Sequence, residues 1–197
     1  MRLAIAMLAL VAAPAAADPL ATELRGFGTC AASRATSVAQ QLLASQPGSK
    51  IERAMLNRLY DRTEGCVSYD VTHAPVMRIR GAVAEGLVAT SLGGTSMRTS
   101  AASGMVFTVD TSVAEGRRRI NEQVYGFGQC VVTAQPMAVR ALVDAAPDTP
   151  EERTAIRTLR PALSPCLPSS SAMSLDRPTL RAVLAESLYR LTGGAGQ

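Results

Sequence analysis

The chain has 197 residues and a formal net charge of +4, with Lys50 the only lysine among twenty basic residues. That charge is too small to mark a nucleic-acid surface. Three Phe, four Tyr and no Trp leave the core to Leu, Val, Ile, Met and abundant Ala, which suits packed helices better than a sheet.

Residues 1–17 read as an export signal. Arg2 opens it, and Leu3 to Ala13 is an apolar run of eleven residues, too short to span a bilayer as a helix. Pro14 breaks the run, and Ala15-Ala16-Ala17 offers the small-x-small pattern that a signal peptidase accepts. An uncleaved membrane anchor is the rival reading. No cysteine lies at the cut site, which disfavours a lipoprotein. No later stretch approaches about eighteen consecutive apolar residues, so the chain beyond residue 17 is expected to be soluble, without a transmembrane segment, and periplasmic or secreted.

Residues 18–91 read as a first helical repeat. Asp18-Pro19 is an N-cap followed by proline in the first turn. Leu20, Leu24, Phe27 and Ala31 then fall on one helix face. Gly26 and Gly28 each cost a helix about 1 kcal/mol, so they either sit inside this helix or end it. A second segment runs from about residue 35 to 45. Ser49-x-x-Glu52 is a capping box that starts a third segment. The hydroxyl takes an orphan amide, and the glutamate is expected to reach back to the cap residue's own amide. A fourth segment runs from about Val76 to Thr90. Residues 92–111, with Gly93-Gly94 and a Ser/Thr/Ala stretch, read as a linker. Met105 to Val109 inside it is β-prone, with no second strand to pair with.

Residues 112–192 repeat the first unit. GFGTC at 26–30 returns as GFGQC at 126–130, an offset of 100. Pro47, Glu52, Arg53 and Leu59 match Pro147, Glu152, Arg153 and Leu159. After the second cysteine the offset is 101, and Arg80, Ala84, Glu85 and Leu87 match Arg181, Ala185, Glu186 and Leu188. Duplication within one chain explains so many ordered matches. Ser112 with Glu115 predicts a capping box, and Ile120, Val124, Phe127 and Val131 a buried face. Further segments follow at Pro136 to Ala145, from the box Thr149-x-x-Glu152, and at Pro178 to Leu191. The fourth segments of both copies are expected to be amphipathic, the last with Leu180, Val183, Leu184, Leu188 and Leu191 along one side. Residues 193–197 read as a disordered tail. The expected fold is all-α: two tandem copies of a roughly four-helix, disulfide-stapled unit.

Four cysteines in an exported chain are expected to be oxidised. Of three possible pairings, the matched spacing favours Cys30–Cys66 and Cys130–Cys166. Closing loops of that length contributes roughly 3–4 kcal/mol each in the chain-entropy model. A metal site lacks ligands, since there is no CxxC and only one histidine. No cofactor is expected, because neither a P-loop nor a dinucleotide fingerprint is present.

His73, the single histidine, has Asp70 three residues earlier. A general base oriented by Asp70 is one reading, and an ordinary loop residue is the other. Its counterpart is Ser174, which supports the second. Glu85 and Glu186, with Arg80 and Arg181, form twinned pairs. They suit either an acid/base pair across the repeats or ion-bonded residues, one per unit, that hold the fourth helix in place. Duplication gives every structural residue a twin, so twinning favours the structural role. The run Arg117-Arg118-Arg119 lies between Glu115 and Glu122 and reads as a solvated helix face.

GFGQC, residues 151 to 168 (EERTAIRTLRPALSPCLP) and residues 180 to 191 (LRAVLAESLYRL) together resemble small exported proteins of unknown function from Gram-negative bacteria. The resemblance covers about residues 112–192 and the first copy more loosely. It implies an exported helical protein and transfers no catalytic or binding residue. The expected function is non-enzymatic binding of a protein partner or surface. Carriage of a small hydrophobic ligand between helices is the alternative, and a hydrolase using Glu or His73 is a weaker third.

Overall fold

A computed structural model describes residues 18–91, 110–168 and 174–192. The expected export signal, most of the linker with its β-prone stretch 105–109, and the tail 193–197 lie outside the described residues. Nine helices are present among those described, with no strand. They are α1 (Pro19–Arg34), α2 (Thr36–Ala44), α3 (Lys50–Arg62), α4 (Tyr69–His73), α5 (Val76–Ser91), α6 (Glu115–Ala134), α7 (Pro136–Asp144), α8 (Pro150–Cys166) and α9 (Arg177–Leu191). The all-α repeat is therefore as expected, with α1–α3 and α5 answered by α6–α9. The first unit also has the short α4, whose counterpart positions lie mostly outside the described residues. It is capped by Ser68, whose hydroxyl accepts from the Val71 amide at 3.2 Å. His73 thus ends a helix instead of lying in a loop.

Local chemistry explains most helix ends. Asp18 caps α1 by accepting the Leu20 amide. Ser49 and Thr149 cap α3 and α8 by accepting the Glu52 and Glu152 amides at 2.9 and 3.3 Å. The glutamates reach back one residue further than expected. Glu52 Oε2 accepts from the Gly48 amide at 2.6 Å, and Glu152 Oε2 from that of Asp148 at 2.9 Å. Both donors have positive φ, 84° at Gly48 and 63° at Asp148, which turns their N–H groups toward the helix start. The expected box at Ser112 does not form. Ala114 occupies the cap position of α6 without a side-chain bond. Asp110 Oδ1 has instead taken the Ser112 amide in a local turn, the competition that short polar side chains offer near helix starts.

Two helices lie at the centre. Residues 79–88 of α5 and their twins 180–189 of α9 are each buried without interruption. This overturns the amphipathic reading of both helices: their central turns are enclosed on all sides, polar Arg80, Glu85, Arg181, Glu186 and Ser187 included. α5 packs on α9, α1 on α5 and α6 on α9, with α2–α3 and α7–α8 outside them. One apolar cluster contains Phe27, Leu42 and Leu87 of the first unit together with Phe127, Leu142 and Leu188 of the second. The two repeats share a core. Val124, Phe127 and Val131 are buried as expected, but Ile120 is 54% exposed. It stands in the second turn of α6.

Small residues make the central crossings possible. A Cβ on Gly81 would lie 2.3 Å from the Cα of its twin Ala182, and one on Gly28 would lie 2.5 Å from the Ala82 carbonyl carbon. Backbones at these crossings are in direct contact, and α1 has a glycine at position 28 where α5 leaves no room for a side chain. The disulfides join Cys30 to Cys66 and Cys130 to Cys166, with Cα separations of 6.3 and 5.6 Å. Each staples the first helix of its unit to the region ending the third. No helix among the described residues is long and apolar enough to cross a membrane.

The neighbouring glycines of α1 provide a paired test. A Cβ at Gly26 meets nothing within 4 Å, so Gly26→Ala should raise stability by about 0.5–1 kcal/mol through helix propensity and chain entropy. Gly28→Ala should lower it by about 1–3 kcal/mol or more through overpacking. Urea unfolding of both variants measures the two opposite shifts.

Candidate functional site

The four twinned polar residues are brought together in the buried centre, crossed between the units. Arg80 of α5 places Nε 3.0 Å and Nη2 2.5 Å from the two oxygens of Glu186 in α9. Arg181 of α9 makes the reciprocal fork to Glu85 of α5, at 2.7 and 2.8 Å. Each guanidinium also reaches the capping-box glutamate of its own unit. Arg80 Nη1 donates to Glu52 at 3.0 Å, and Arg181 Nη1 to Glu152 at 3.1 Å. Their remaining donors meet the carbonyl ends of α2 and α7. Arg80 bonds Leu42 and Leu43 at 2.9 and 3.1 Å, and Arg181 bonds Val143 and Ala145 at 3.0 and 2.8 Å. A helix C-terminus carries partial negative charge, so a guanidinium suits that place. Such planar two-point pairing is specific to arginine.

Arg80 and Glu186 are each 1% exposed. Burying charges is costly, and removing one member of a buried pair costs about 3–5 kcal/mol because its partner is left uncompensated. With this many bonds the arginines have no proton to give, and the carboxylates are held by cations. The acid/base reading of Glu85 and Glu186 therefore has no free carboxylate on which to rest.

The two halves of the network differ in strength. Glu186 also accepts the Tyr125 hydroxyl at 2.9 Å and pairs with Arg190 at 2.9 Å. Burial pushes its carboxyl up, but Arg80 and Arg190 together hold it below the ordinary range. Burial and the adjacent Glu186 push the Tyr125 hydroxyl up. Glu85 lacks such company: the twin of Arg190 is Ala89, and the twin of Tyr125 is Arg25, whose guanidinium stays 3.8 Å from Glu85. Burial therefore wins over Arg181, and the Glu85 carboxyl is raised. Burial alone would depress both guanidiniums, yet their glutamates keep Arg80 and Arg181 above the usual arginine value.

Two clefts related by the repeat flank the network. Both are lined by residues of both units; the smaller has Ala21, Arg25, Arg78, Asp148, Arg177 and Arg181 among its lining and holds about 40 Å³, space for a few waters. Its counterpart is lined by Pro47, Arg53, Val76, Met77, Arg117 and Asn121 among others and offers about 450 Å³. Arg25, Asp148 and Arg177 fill the first. Tyr125, Gly48 and Val76 occupy those places in the second, where Tyr125 turns inward to Glu186 and Gly48 has no side chain. Arg53 and Arg117 have no carboxylate within ion-pair distance among the described residues. In the basic run, Arg119 pairs with Glu115 on the surface as expected, while the stem of Arg117 lies over Gly48.

His73 is not oriented by Asp70. Its Nδ1 faces the Tyr69 carbonyl at 2.8 Å and the Thr72 hydroxyl at 3.0 Å, and its ring stacks on Tyr69. No group of three or more metal-ligating side chains occurs among the described residues. Sequence reasoning missed the second task of Glu52 and Glu152, and it missed Tyr125, Arg190 and Arg25 entirely. The available signal was that positions 25 and 125 differ while the residues around them repeat. No protein-family model, curated protein or solved structure matches this chain.

The unequal halves predict opposite pH slopes. The contribution of Glu186, with its depressed carboxyl, is present above the unfolded-state value and is lost as pH falls through the folded one. Glu85, with its raised carboxyl, contributes most when protonated and loses that contribution as pH rises through the raised value. Glu186→Gln should cost about 3–5 kcal/mol at pH 7, a deficit that shrinks on acidification. Glu85→Gln should cost less, with a deficit that shrinks as pH rises. Urea titrations between pH 3 and 8 (roughly the window around the carboxylate values) distinguish these slopes from a common one.

Proposed function

We propose that this chain is an exported scaffold protein, processed after Ala17, that acts by binding a protein partner and not by turning over a substrate. The two disulfides are compatible with an oxidising compartment, and residues 1–17 have the pattern of an export signal. The resemblance to small exported proteins of Gram-negative bacteria points the same way.

The binding reading rests on one observation: the larger inter-unit cleft joins apolar surface to arginines that have no carboxylate in ion-pair distance among the described residues. Val76 lines it and is 38% exposed, and Ile51 and Ile120, each adjacent in sequence to a lining residue, are 48% and 54% exposed. Arg53 and Arg117 stand in the same lining. Apolar anchors beside arginine are the residue types that dominate binding energy at protein interfaces. The surface fits a partner segment that carries both apolar and acidic side chains.

Carriage of a hydrophobic ligand between the units has less support, because the roomier inter-unit cleft, of about 450 Å³, has Glu52, Arg53, Arg80 and Arg117 in its lining, and the other holds only about 40 Å³. A hydrolase has less again, since the twinned glutamates are saturated by arginine and His73 has no acidic neighbour to orient it.

Affinity capture from the extracytoplasmic fraction tests the binding reading. The mature protein and a Met137→Ala control, altered at an exposed residue of α7, should retain the same partner. The double variant Arg53→Glu/Arg117→Glu should lose it by at least about tenfold, the expectation for reversing two charges at a docking site. Equal retention by all three forms, or a lipid found by native mass spectrometry in place of a protein, would contradict the reading.

A further inference from the structure

The smaller of the two inter-unit clefts is narrow because of residues at its mouth that the repeat does not share. The backbone nitrogen of Asp18 lies 2.6 Å from Asp148 Oδ2. The other oxygen of Asp148 pairs with Arg177 of α9. Asp148 sits at φ 63°, in the left-handed region, where its twin is Gly48. A carboxylate thus stands at a backbone position that favours glycine, facing the first turn of α1.

The first helices of the two units also begin in different registers. α6 starts at Glu115, whereas α1 starts at Pro19, the counterpart of position 119. At the matching place in the larger cleft, the stem of Arg117 crosses Gly48 with its Cγ 3.3 Å from where a Cβ would lie. There the chain passes by and the turn residue has no side chain. In the smaller cleft the turn residue is an aspartate aimed at the nitrogen of residue 18.

We propose that Asp148 is a preformed receptor for the α-ammonium group that export processing creates at Asp18, so that maturation locks the start of the first unit onto the second. The proposal rests on the export reading. In the processing step a peptidase adds water across the Ala17–Asp18 amide. The Ala17 carbonyl carbon gains the hydroxyl and leaves as a carboxylate, and the Asp18 nitrogen keeps the bonding electron pair and takes up protons. The neutral N–H donor at Asp148 becomes a cation in the same place. A positive charge at a helix start is opposed by the helix dipole. The carboxylates of Asp18 and Asp148 offset it.

The groups around the amine set its pH behaviour. They are the Asp18 carboxylate on α1, Asp148 in the turn before α8, Glu152 on α8, which approaches Arg177 at 3.6 Å, Arg153, which donates to the Asp148 carbonyl at 2.9 Å, and Arg177 on α9. Pairing with Asp148 raises the amine's proton affinity. Its stabilisation is therefore present below the unfolded α-amino value of about 7.7–8.0 and is lost as pH rises through the higher folded value.

The test compares residues 18–197 bearing a free α-amine with the same chain Nα-acetylated, which keeps the N–H donor and removes the charge. At pH 6 acetylation should lower Tm by about 2–4 °C. The gap should close at high pH and vanish in Asp148→Asn. Asp148→Gly, which copies the first unit's turn, should abolish the gap without the risk of misfolding in that turn. Equal Tm values for the free and acetylated forms, or a gap of the same size in both variants, overturn the ion pair and leave export standing. The intact mass of the exported protein tests the other half. A chain beginning at Asp18 supports the proposal, and one beginning elsewhere overturns the processing step.

Discussion

Two arginines in the centre of the molecule are each held by a glutamate from the other repeat. Arg80 of α5 grips Glu186 of α9, and Arg181 of α9 grips Glu85 of α5. Each guanidinium also binds the glutamate that opens the third helix of its own unit and the carbonyls that close the second. One side chain per unit therefore joins four elements. Taken alone, either unit would expose the apolar face of its central helix and would lose the partner of its arginine and glutamate, which disfavours independent folding. The crossed pairs make the duplication obligatory: the units complete each other.

Everything else at the centre serves that exchange. Gly81 lies against Ala182, and Gly28 lies against the backbone of α5, so the central helices approach closely enough for the forks to close. The disulfides act outside this region and restrain each unit separately. The copies differ around the two clefts. Arg25 against Tyr125, Asp148 against Gly48 and Arg177 against Val76 change one cleft into a charged, nearly closed seam and leave the other open and partly apolar. One frame thus provides a locking side and a side free to meet a partner.

Much of this was legible in the sequence, where the signals are local or repeated. Asp18-Pro19, Ser49-x-x-Glu52 and Thr149-x-x-Glu152 announce helix starts because the capping bonds span only a few residues. The cysteine pairing follows from spacing that recurs in both copies. Failures came where one residue's fate depends on another far along the chain. The Arg80–Glu186 partners lie 106 residues apart and the Arg181–Glu85 partners 96, and repeat matching identifies all four without saying that they cross. α9 looked amphipathic because Arg181 and Glu186 look like surface residues until their partners are known. Ser112 looked like a cap because nothing in the pattern reveals that Asp110 takes its amide. The short α4 lacks the length for an apolar period to show. Asp148 was invisible as a special residue, since only the positive φ it shares with Gly48 reveals what an aspartate there costs and therefore what it can offer.

The claim that the crossed arginines bind two repeats into one cooperative body is tested most directly by scanning calorimetry of the disulfide-intact mature chain. A single transition whose calorimetric and van't Hoff enthalpies agree is the predicted result. Two resolved transitions, or a calorimetric enthalpy near twice the van't Hoff value, would mean that the units melt independently and that the buried pairs do not couple them.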